Sequence, residues 1–168
     1  MGKFSGWYEN KIEDGRGKGI GFAKYKNVKC YAAVMVELEV DDFGNVQLLK
    51  AFIVADAGQV IDKEGLKSQL EGGLIQSASW TLKEEVKFEG EEILSKDWDS
   101  YPIIKFSEIP TIETKLIDRP NLPPIGAGEA TQGPTAAAIG NAIFNVTGIR
   151  LKRIPFTPEN LRYEAEKA

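Results

Sequence analysis

One carboxylate, Glu129, lies in a glycine-rich turn that leads directly into a predicted helix. The turn reads PPIGAGEATQG, and the alanine-rich segment after it predicts a helix that begins at Pro134. The amino terminus of a helix carries a partial positive charge, so a carboxylate close to it is stabilised as an anion and could act as a base. The alternative is a loop acid that merely suits the helix dipole, and the residues by themselves favour this alternative.

The same glycines do not match a known phosphate-binding loop. Their spacing is G-x-G-x-x-x-x-G, and they follow a Pro-Pro pair where the dinucleotide fingerprint requires a strand. No Gly-Lys-Ser or Gly-Lys-Thr ends the run. The dinucleotide-binding and Walker interpretations are therefore excluded.

A second candidate cluster lies on a predicted long helix. Gln69, Gly72, Gly73 and Gln76 recur at offsets of three, four and seven, so they share one helix face. Glycine inside a helix costs about 1 kcal/mol relative to alanine, so this pair suggests close approach of a ligand or of another backbone. Two side-chain amides suit a heterocyclic or phosphate-bearing ligand. Tight packing with exposed glutamines explains the spacing equally well.

The chain contains no histidine and only one cysteine, Cys30. Serine or cysteine nucleophiles activated by histidine, and Cys/His metal sites, cannot be built from this chain alone. Any proton transfer falls to Asp, Glu, Lys, Tyr or Cys. We interpret Cys30 as a small core residue in a strand and Asp56 as a turn acid.

The composition is that of a single soluble domain. The chain has 168 residues, of which 42% are hydrophobic and 27% charged, which suits one core rather than two. The net charge is -4 and no Lys/Arg block occurs, so nucleic acid is not an expected partner. The sequence shows no apolar run of about 20 residues and no apolar signal core, so we expect no membrane contact and a cytoplasmic location.

The segments around these residues predict an α+β fold with a mixed sheet. Residues 1–18 are predicted to be a lead-in or irregular segment, and residues 162–168 a charged tail. Two apolar, β-branched runs around DDFGN predict a hairpin, and leucines at four-residue spacing predict a helix of about 20 residues. Further predictions are a short strand in FEGEEIL, a strand at Thr111–Ile117, a helix closing at Gly148 and a last strand in IRLKRIPF.

Several segments, taken in order, resemble one known family. That family is the xanthine dehydrogenase and aldehyde oxidase family, and the likeness is to the C-terminal part of its molybdenum-cofactor-binding subunit. The most similar members are hydroxylases of N-heterocycles from bacteria, such as nicotinate and isoquinoline dehydrogenases. The resemblance implies that residues 19–161 form one lobe of a molybdopterin-binding domain. The matching segments are VADAGQVID, QLEGGLIQSASWTLKEEVKF, DWDSYPIIKFSEIPTIETKLIDRP, PPIGAGEA and AAAIGNAIFNVTGIRLKRIPFTP.

The resemblance also implies roles for individual residues. In the family, the glutamate of the Gly-x-Gly-Glu turn is the active-site base, and here it is Glu129. The last glutamine of the family's helix motif contacts the pterin and corresponds to Gln76, while Gln69 matches the first. Gly128 and Ala130 flank the base and are expected to approach the cofactor through their backbone. The pterin dithiolene holds the metal, so no protein ligand to molybdenum is expected.

This sequence departs from the family pattern at three places. Ser77 and Ala78 stand where relatives usually have glycine after the second glutamine, and Ala130 stands where proline is common. The loop after Asp56 reads Val-Ile-Asp-Lys instead of the usual Ile-Asn-Pro. The family's molybdenum subunit is also several times longer than this chain.

The resemblance therefore implies a fragment or split subunit of a molybdenum hydroxylase that oxidises an aldehyde or an N-heterocycle. Its expected partners are the rest of the molybdenum subunit and iron-sulfur and flavin subunits. The molybdenum-pterin cofactor would be shared with a partner chain or missing lobe, so the isolated chain should bind none, be inactive and be prone to self-association. The alternatives are a non-catalytic cofactor- or partner-binding module, against which Glu129 and Gln76 argue, and a small-molecule binder that rests on the turn alone.

Overall fold

A four-stranded sheet lies at the centre of the structure, a computed structural model that describes residues 1–8 and 14–167. The strand order is β1-β2-β3-β6; the first three strands are antiparallel and β6 runs parallel to β3. Within these residues, three helices complete an α+β architecture, which confirms the predicted fold class. The elements are β1 (Arg16–Lys24), β2 (Tyr31–Val40), β3 (Val46–Asp56), α1 (Lys63–Leu82), β4 (Phe88–Glu89), β5 (Glu92–Ile93), β6 (Thr111–Ile117), α2 (Gln132–Thr147) and α3 (Pro158–Ala165).

Strands β2 and β3 form the predicted hairpin. Val34, Val36 and Leu38 alternate along β2 and are fully buried on the face that packs against the helices. Asp41 closes the connection by accepting the backbone N–H groups of Phe43 and Asn45, at 2.9 and 2.8 Å. The Asn45 side-chain amide and these N–H groups lower the pKa of the Asp41 carboxyl below its usual value. The turn signal in the sequence thus has a specific hydrogen-bonding basis.

Helix α2 packs on β1 with its backbone close to that of the strand. A Cβ atom at Gly19 would lie 2.1 Å from the carbonyl oxygen of Ala138, and one at Gly21 would lie 2.0 Å from that of Pro134. Gly17 meets the helix in the same way at Ala142. Only glycine on this face of β1 permits so close a contact. The contact fixes the N-terminal end of α2 near the Lys24 end of the strand.

Helix α1 has the predicted length and lies beside α2. Asp62 caps its N-terminus by accepting the N–H of Gly65 at 3.0 Å. Leu70 and Leu74 are fully buried in the core, as their four-residue spacing predicts. The hydroxyl of Thr114 in β6 donates to Glu71 at 2.8 Å, which ties this helix to the edge strand.

The other face of the sheet is partly covered by residues 1–8. Phe4 packs edge-on against Phe52, with ring centroids 5.7 Å apart and the rings at 90°. Met35 is fully buried on the same face. Residues 1–8 of the predicted lead-in therefore contribute to packing although they form no strand.

Three sequence-based element boundaries were wrong. Strand β1 begins at Arg16, inside the predicted lead-in, and Cys30 precedes β2 rather than lying in it. Helix α2 begins at Gln132, two residues before the predicted start at Pro134, and ends at Gly148 in a left-handed conformation (φ 71°), as expected. Residues 9–13 of the predicted lead-in and Ala168 of the predicted tail lie outside the described residues.

The C-terminal segment differs most from its prediction. Within the described part of the chain, residues 149–156 form no strand, because Leu151 and Phe156 turn into the core and the Phe156 N–H donates to Thr81 at 2.7 Å instead of to a sheet. The predicted charged tail, residues 162–168, begins with the second half of helix α3 (Pro158–Ala165). Thr157 caps this helix by accepting the N–H of Asn160 at 3.3 Å, and Leu161 is buried.

Candidate functional site

The glycine-rich turn packs directly on helix α1. The Thr131 hydroxyl donates to the Leu70 carbonyl at 2.7 Å, and the Ser77 hydroxyl donates to the Gln132 carbonyl at 2.7 Å. A Cβ atom at Gly73 would lie 2.6 Å from Oγ1 of Thr131. The glycine at position 73 is therefore explained by close approach of another chain segment, which is one of the two reasons that the sequence suggested.

The two predicted amide side chains lie on either side of this contact, and both are exposed. Gln76 accepts a hydrogen bond from the side-chain amide of Gln132 at 2.8 Å. The side-chain amide oxygen of Gln69, Oε1, lies 3.2 Å from the position that a Cβ atom at Gly128 would occupy. The amide face of α1 and the Glu129 turn, which the sequence could identify only separately, thus form one surface.

The first half of the turn is held by the loop after β3. The Ile125 N–H donates to the Ala57 carbonyl at 2.9 Å, and a Cβ atom at Gly58 would lie 2.2 Å from the Pro123 carbonyl oxygen. Asp56 accepts the Gly58 N–H at 3.2 Å and forms an ion pair with Arg119. This geometry confirms Asp56 as a turn acid, and it means that the turn is anchored at both ends.

Glu129 is exposed on this turn, and its Oε2 atom accepts a hydrogen bond from the Tyr25 hydroxyl. Tyr25 begins a short 3-10 turn, Tyr25–Asn27, that follows β1. The sequence analysis missed Tyr25, because 104 positions separate it from Glu129 and no local pattern links them.

Ala130 is one of the departures from the family pattern and is buried here. Its N–H donates to the Ala127 carbonyl at 3.1 Å, a bond that a proline at this position could not make. Gly128, just before the glutamate, is exposed. The backbone of the turn is therefore fixed by internal hydrogen bonds while its glutamate faces outward.

The surface around Glu129 has donors and open space that suit a polar, phosphate-bearing heterocycle. Cβ atoms at Gly72, Gly126 or Gly133 would meet no atom within 4 Å, so the backbone there is open to a ligand. The exposed amides offer both donors and acceptors, and the N-terminus of α2 favours anions. In residues 1–8 and 14–167, no group of three His, Cys, Asp or Glu side chains could hold a metal ion.

Cys30 does not contribute a reactive thiolate. Its side chain is fully buried, and burial, together with the negative charge of Asp56, raises the pKa of the thiol to about 11. Cys30 is a core residue, as predicted, although it stands one position before the strand.

The two adjacent glycines of α1 should respond in opposite ways to replacement by alanine. Gly73→Ala is expected to lower the free energy of unfolding by about 1–3 kcal/mol, because the new methyl group collides with Thr131. Gly72→Ala is expected to raise it by about 1 kcal/mol, because the site is open and alanine favours the helix. Urea denaturation of both variants measures the difference. Equal stabilities would show that the turn does not pack on α1.

No helix in the described ranges is long and apolar enough to cross a membrane.

Trp98 and Phe106 are strongly exposed, at 74% and 94%, in the segment between α1 and β6. Large exposed apolar side chains can contribute to an interaction surface.

Comparison with known families gives a match over residues 2–110, to the family described as the molybdopterin cofactor-binding domain. Among curated proteins, the chain is 41% identical over 154 residues to a nicotinate dehydrogenase chain of Pseudomonas putida, covering 88% of this chain and 13% of that one. It is 25% identical over 159 residues to the beta chain of isoquinoline 1-oxidoreductase from Brevundimonas diminuta, covering 94% and 20%. The chain thus spans a fifth or less of these relatives' length.

Solved structures share the fold. The aldehyde oxidoreductase from Desulfovibrio gigas superimposes with a TM-score of 0.72 at 30% sequence identity, over 83% of this chain and 16% of that chain. The quinoline 2-oxidoreductase from Pseudomonas putida 86 gives a TM-score of 0.76 at 22% identity, over 82% and 19%. The second likeness concerns the fold alone. Both matches agree with the α+β architecture described above.

Proposed function

This chain belongs to the molybdopterin cofactor-binding domain family, and from that membership we propose that it supplies one lobe of the active site of a molybdenum hydroxylase. The sequence resemblance to the xanthine dehydrogenase and aldehyde oxidase family is thereby confirmed at the level of the family. One observation carries the proposal: the amide face of α1 and the Glu129 turn form a single open surface. The proposed lobe comprises residues 19–161, together with the first three residues of β1.

The cofactor would be held by amides and by backbone. We propose that the side chains of Gln76 and Gln69 form hydrogen bonds with the pterin. The pterin would also lie close to the backbone around Gly128 and Ala130. Gln69, Gln76 and Gly128 are exposed, which supports their assignment, whereas Ala130 is buried and would contribute only its backbone. The molybdenum-pterin group supplies the redox chemistry of hydroxylation when bound. No side chain of this lobe is assigned to the metal.

Glu129 is assigned as the base of the reaction. Helix α2 begins at Gln132, and its N-terminal dipole stabilises negative charge close to Glu129. The Oε2 atom accepts a hydrogen bond from Tyr25, whereas Oε1 has no hydrogen-bond partner among the described residues. We therefore assign Oε1 to take the proton released when the substrate carbon is hydroxylated. The proposed substrates are an aldehyde or an N-heterocycle, by analogy with the names of the relatives.

The site is open in this chain and needs a second wall. Glu129, Gln69 and Gln76 are all exposed, whereas hydroxylation chemistry requires oriented reactants and controlled access of water. We propose that the rest of the molybdenum subunit closes it, with iron-sulfur and flavin subunits completing electron transfer. Elsewhere on the lobe, near the C-terminal end of α1, the exposed Trp98 and Phe106 offer further apolar surface to a partner. Alone, the chain is expected to hold no cofactor, to be inactive and to self-associate through exposed apolar surface.

The test is to produce the tagged chain together with the rest of the molybdenum subunit in a host that makes the cofactor. The expected result is a complex containing molybdenum and pterin, while the chain produced alone contains neither. Gln69→Ala combined with Gln76→Ala should lower the molybdenum content of the complex, whereas Gln47→Ala, on exposed β3 surface, should not. If the complex contained no molybdenum, or if the double variant left its molybdenum content unchanged, the result would instead support a non-catalytic binding module.

A further inference from the structure

The Tyr25 hydroxyl, which donates to Oε2 of Glu129, gives this lobe a second polar group at the proposed reaction site. We propose that Tyr25 is a positioning residue that holds the Glu129 carboxylate in one orientation. This inference rests on the proposed function of Glu129 as the base. Tyr25 itself is assigned no contact with substrate or cofactor.

The backbone that presents Tyr25 is unusual. Lys26 and Asn27, which follow it directly, both have positive φ, at 48° and 58°. Left-handed geometry is unfavourable for a residue with a side chain, although asparagine tolerates it better than lysine does. Two such residues in succession therefore need compensation elsewhere in the structure.

Hydrogen bonds on both sides close this turn. The Tyr25 N–H donates to the Cys30 carbonyl at 2.8 Å, and the Lys29 N–H donates to the Tyr25 carbonyl at 2.9 Å. The Lys26 ammonium group lies 5.3 Å from the centroid of the Tyr25 ring. The ring is thus held by the backbone at its base and by a cation over its face, and its hydroxyl reaches the glutamate.

Such a contact has a clear consequence for a base on an exposed turn. A glutamate side chain without a partner samples several rotamers, and a single hydrogen bond to Oε2 limits that sampling. In the part of the chain that the structure describes, no Lys or Arg forms an ion pair with Glu129. A neutral donor can orient the carboxylate without neutralising its charge, which leaves Oε1 available as a base.

The contact lies within this chain, so it can be tested without cofactor or substrate. The chain is labelled with carbon-13 at the tyrosine ring carbon that bears the hydroxyl, and the Tyr25 signal is assigned by its loss in Tyr25→Phe. The expected result is a shift of this signal in Glu129→Ala, because the hydroxyl loses its acceptor. The signal of Tyr31, which is exposed at the same end of the sheet, should not move. An unshifted Tyr25 signal in a folded Glu129→Ala chain would overturn the inference.

Turnover of the assembled complex tests the consequence of the contact. Tyr25→Phe is expected to lower kcat about tenfold with little change in KM or molybdenum content, since it disturbs the orientation of the base and not the binding of substrate. Tyr31→Phe is the matched control and should leave kcat unchanged. An unchanged kcat in Tyr25→Phe contradicts the positioning role. If both Tyr25→Phe and Glu129→Gln retain turnover, the proposed function of Glu129 fails. If Glu129→Gln loses turnover while Tyr25→Phe retains it, only the positioning role of Tyr25 fails.

Discussion

Glu129→Gln is expected to lower kcat of the assembled complex by about 10²–10⁴-fold while its molybdenum content stays near normal. The glutamine amide has nearly the shape of the carboxylate and can still accept the Tyr25 hydrogen bond, but it cannot take up a proton in the reaction. Steady-state kinetics with an aldehyde or an N-heterocycle, together with metal analysis, measure the two quantities. Retention of turnover at full molybdenum content would falsify the assignment of the base.

The matched control for this experiment is Glu85→Gln. Glu85 is also an exposed acid, but it lies beyond the C-terminal end of α1, away from the turn. The same change of charge at this position should leave both kcat and molybdenum content unaltered. A loss of turnover in both variants would point to a general effect of net charge instead of a role for Glu129.

Gly21→Ala is expected to lower the free energy of unfolding by about 3 kcal/mol, the upper end of the usual cost of overpacking. A Cβ atom at this position would lie 2.0 Å from the Pro134 carbonyl oxygen and 3.0 Å from the Ala138 nitrogen. Both are backbone atoms, so no change of rotamer can relieve the collision and the helix itself must move. Chemical denaturation of the isolated chain, followed by circular dichroism, measures the loss.

Gly133→Ala provides the control for this second experiment. Gly133 lies in the first turn of α2, where a Cβ atom would meet nothing within 4 Å. This variant should be as stable as the parent chain or slightly more stable, because alanine favours the helix. If Gly21→Ala matched it in stability, α2 could not pack on β1 as described, and the support of the Glu129 turn by that helix would be in doubt.

Local periodicity was sufficient to predict much of the fold. Alternating apolar residues in β2 and β3, the leucine spacing of α1 and the alternation of Thr111–Ile117 each gave the correct element. Strand β1 was missed for a physical reason: Gly17, Gly19 and Gly21 alternate with period two, but glycine carries no hydrophobic signal. Only helix α2, packed against them, shows why side chains are absent there. The C-terminal helix had a cap signal in Thr157 and Pro158 that the charged composition obscured.

The sequence by itself determined the family, the lack of histidine in this chain, and the two groups of residues that we propose bind a cofactor and move a proton. It did so because residue type and helical spacing are local properties of the chain. The tertiary structure alone decided that the α1 face and the Glu129 turn meet, that packing explains Gly73 but not Gly72, and that Tyr25 is hydrogen-bonded to Glu129. Contacts between residues 50 to 100 positions apart depend on how the whole core packs, and no local pattern in the sequence reveals that packing.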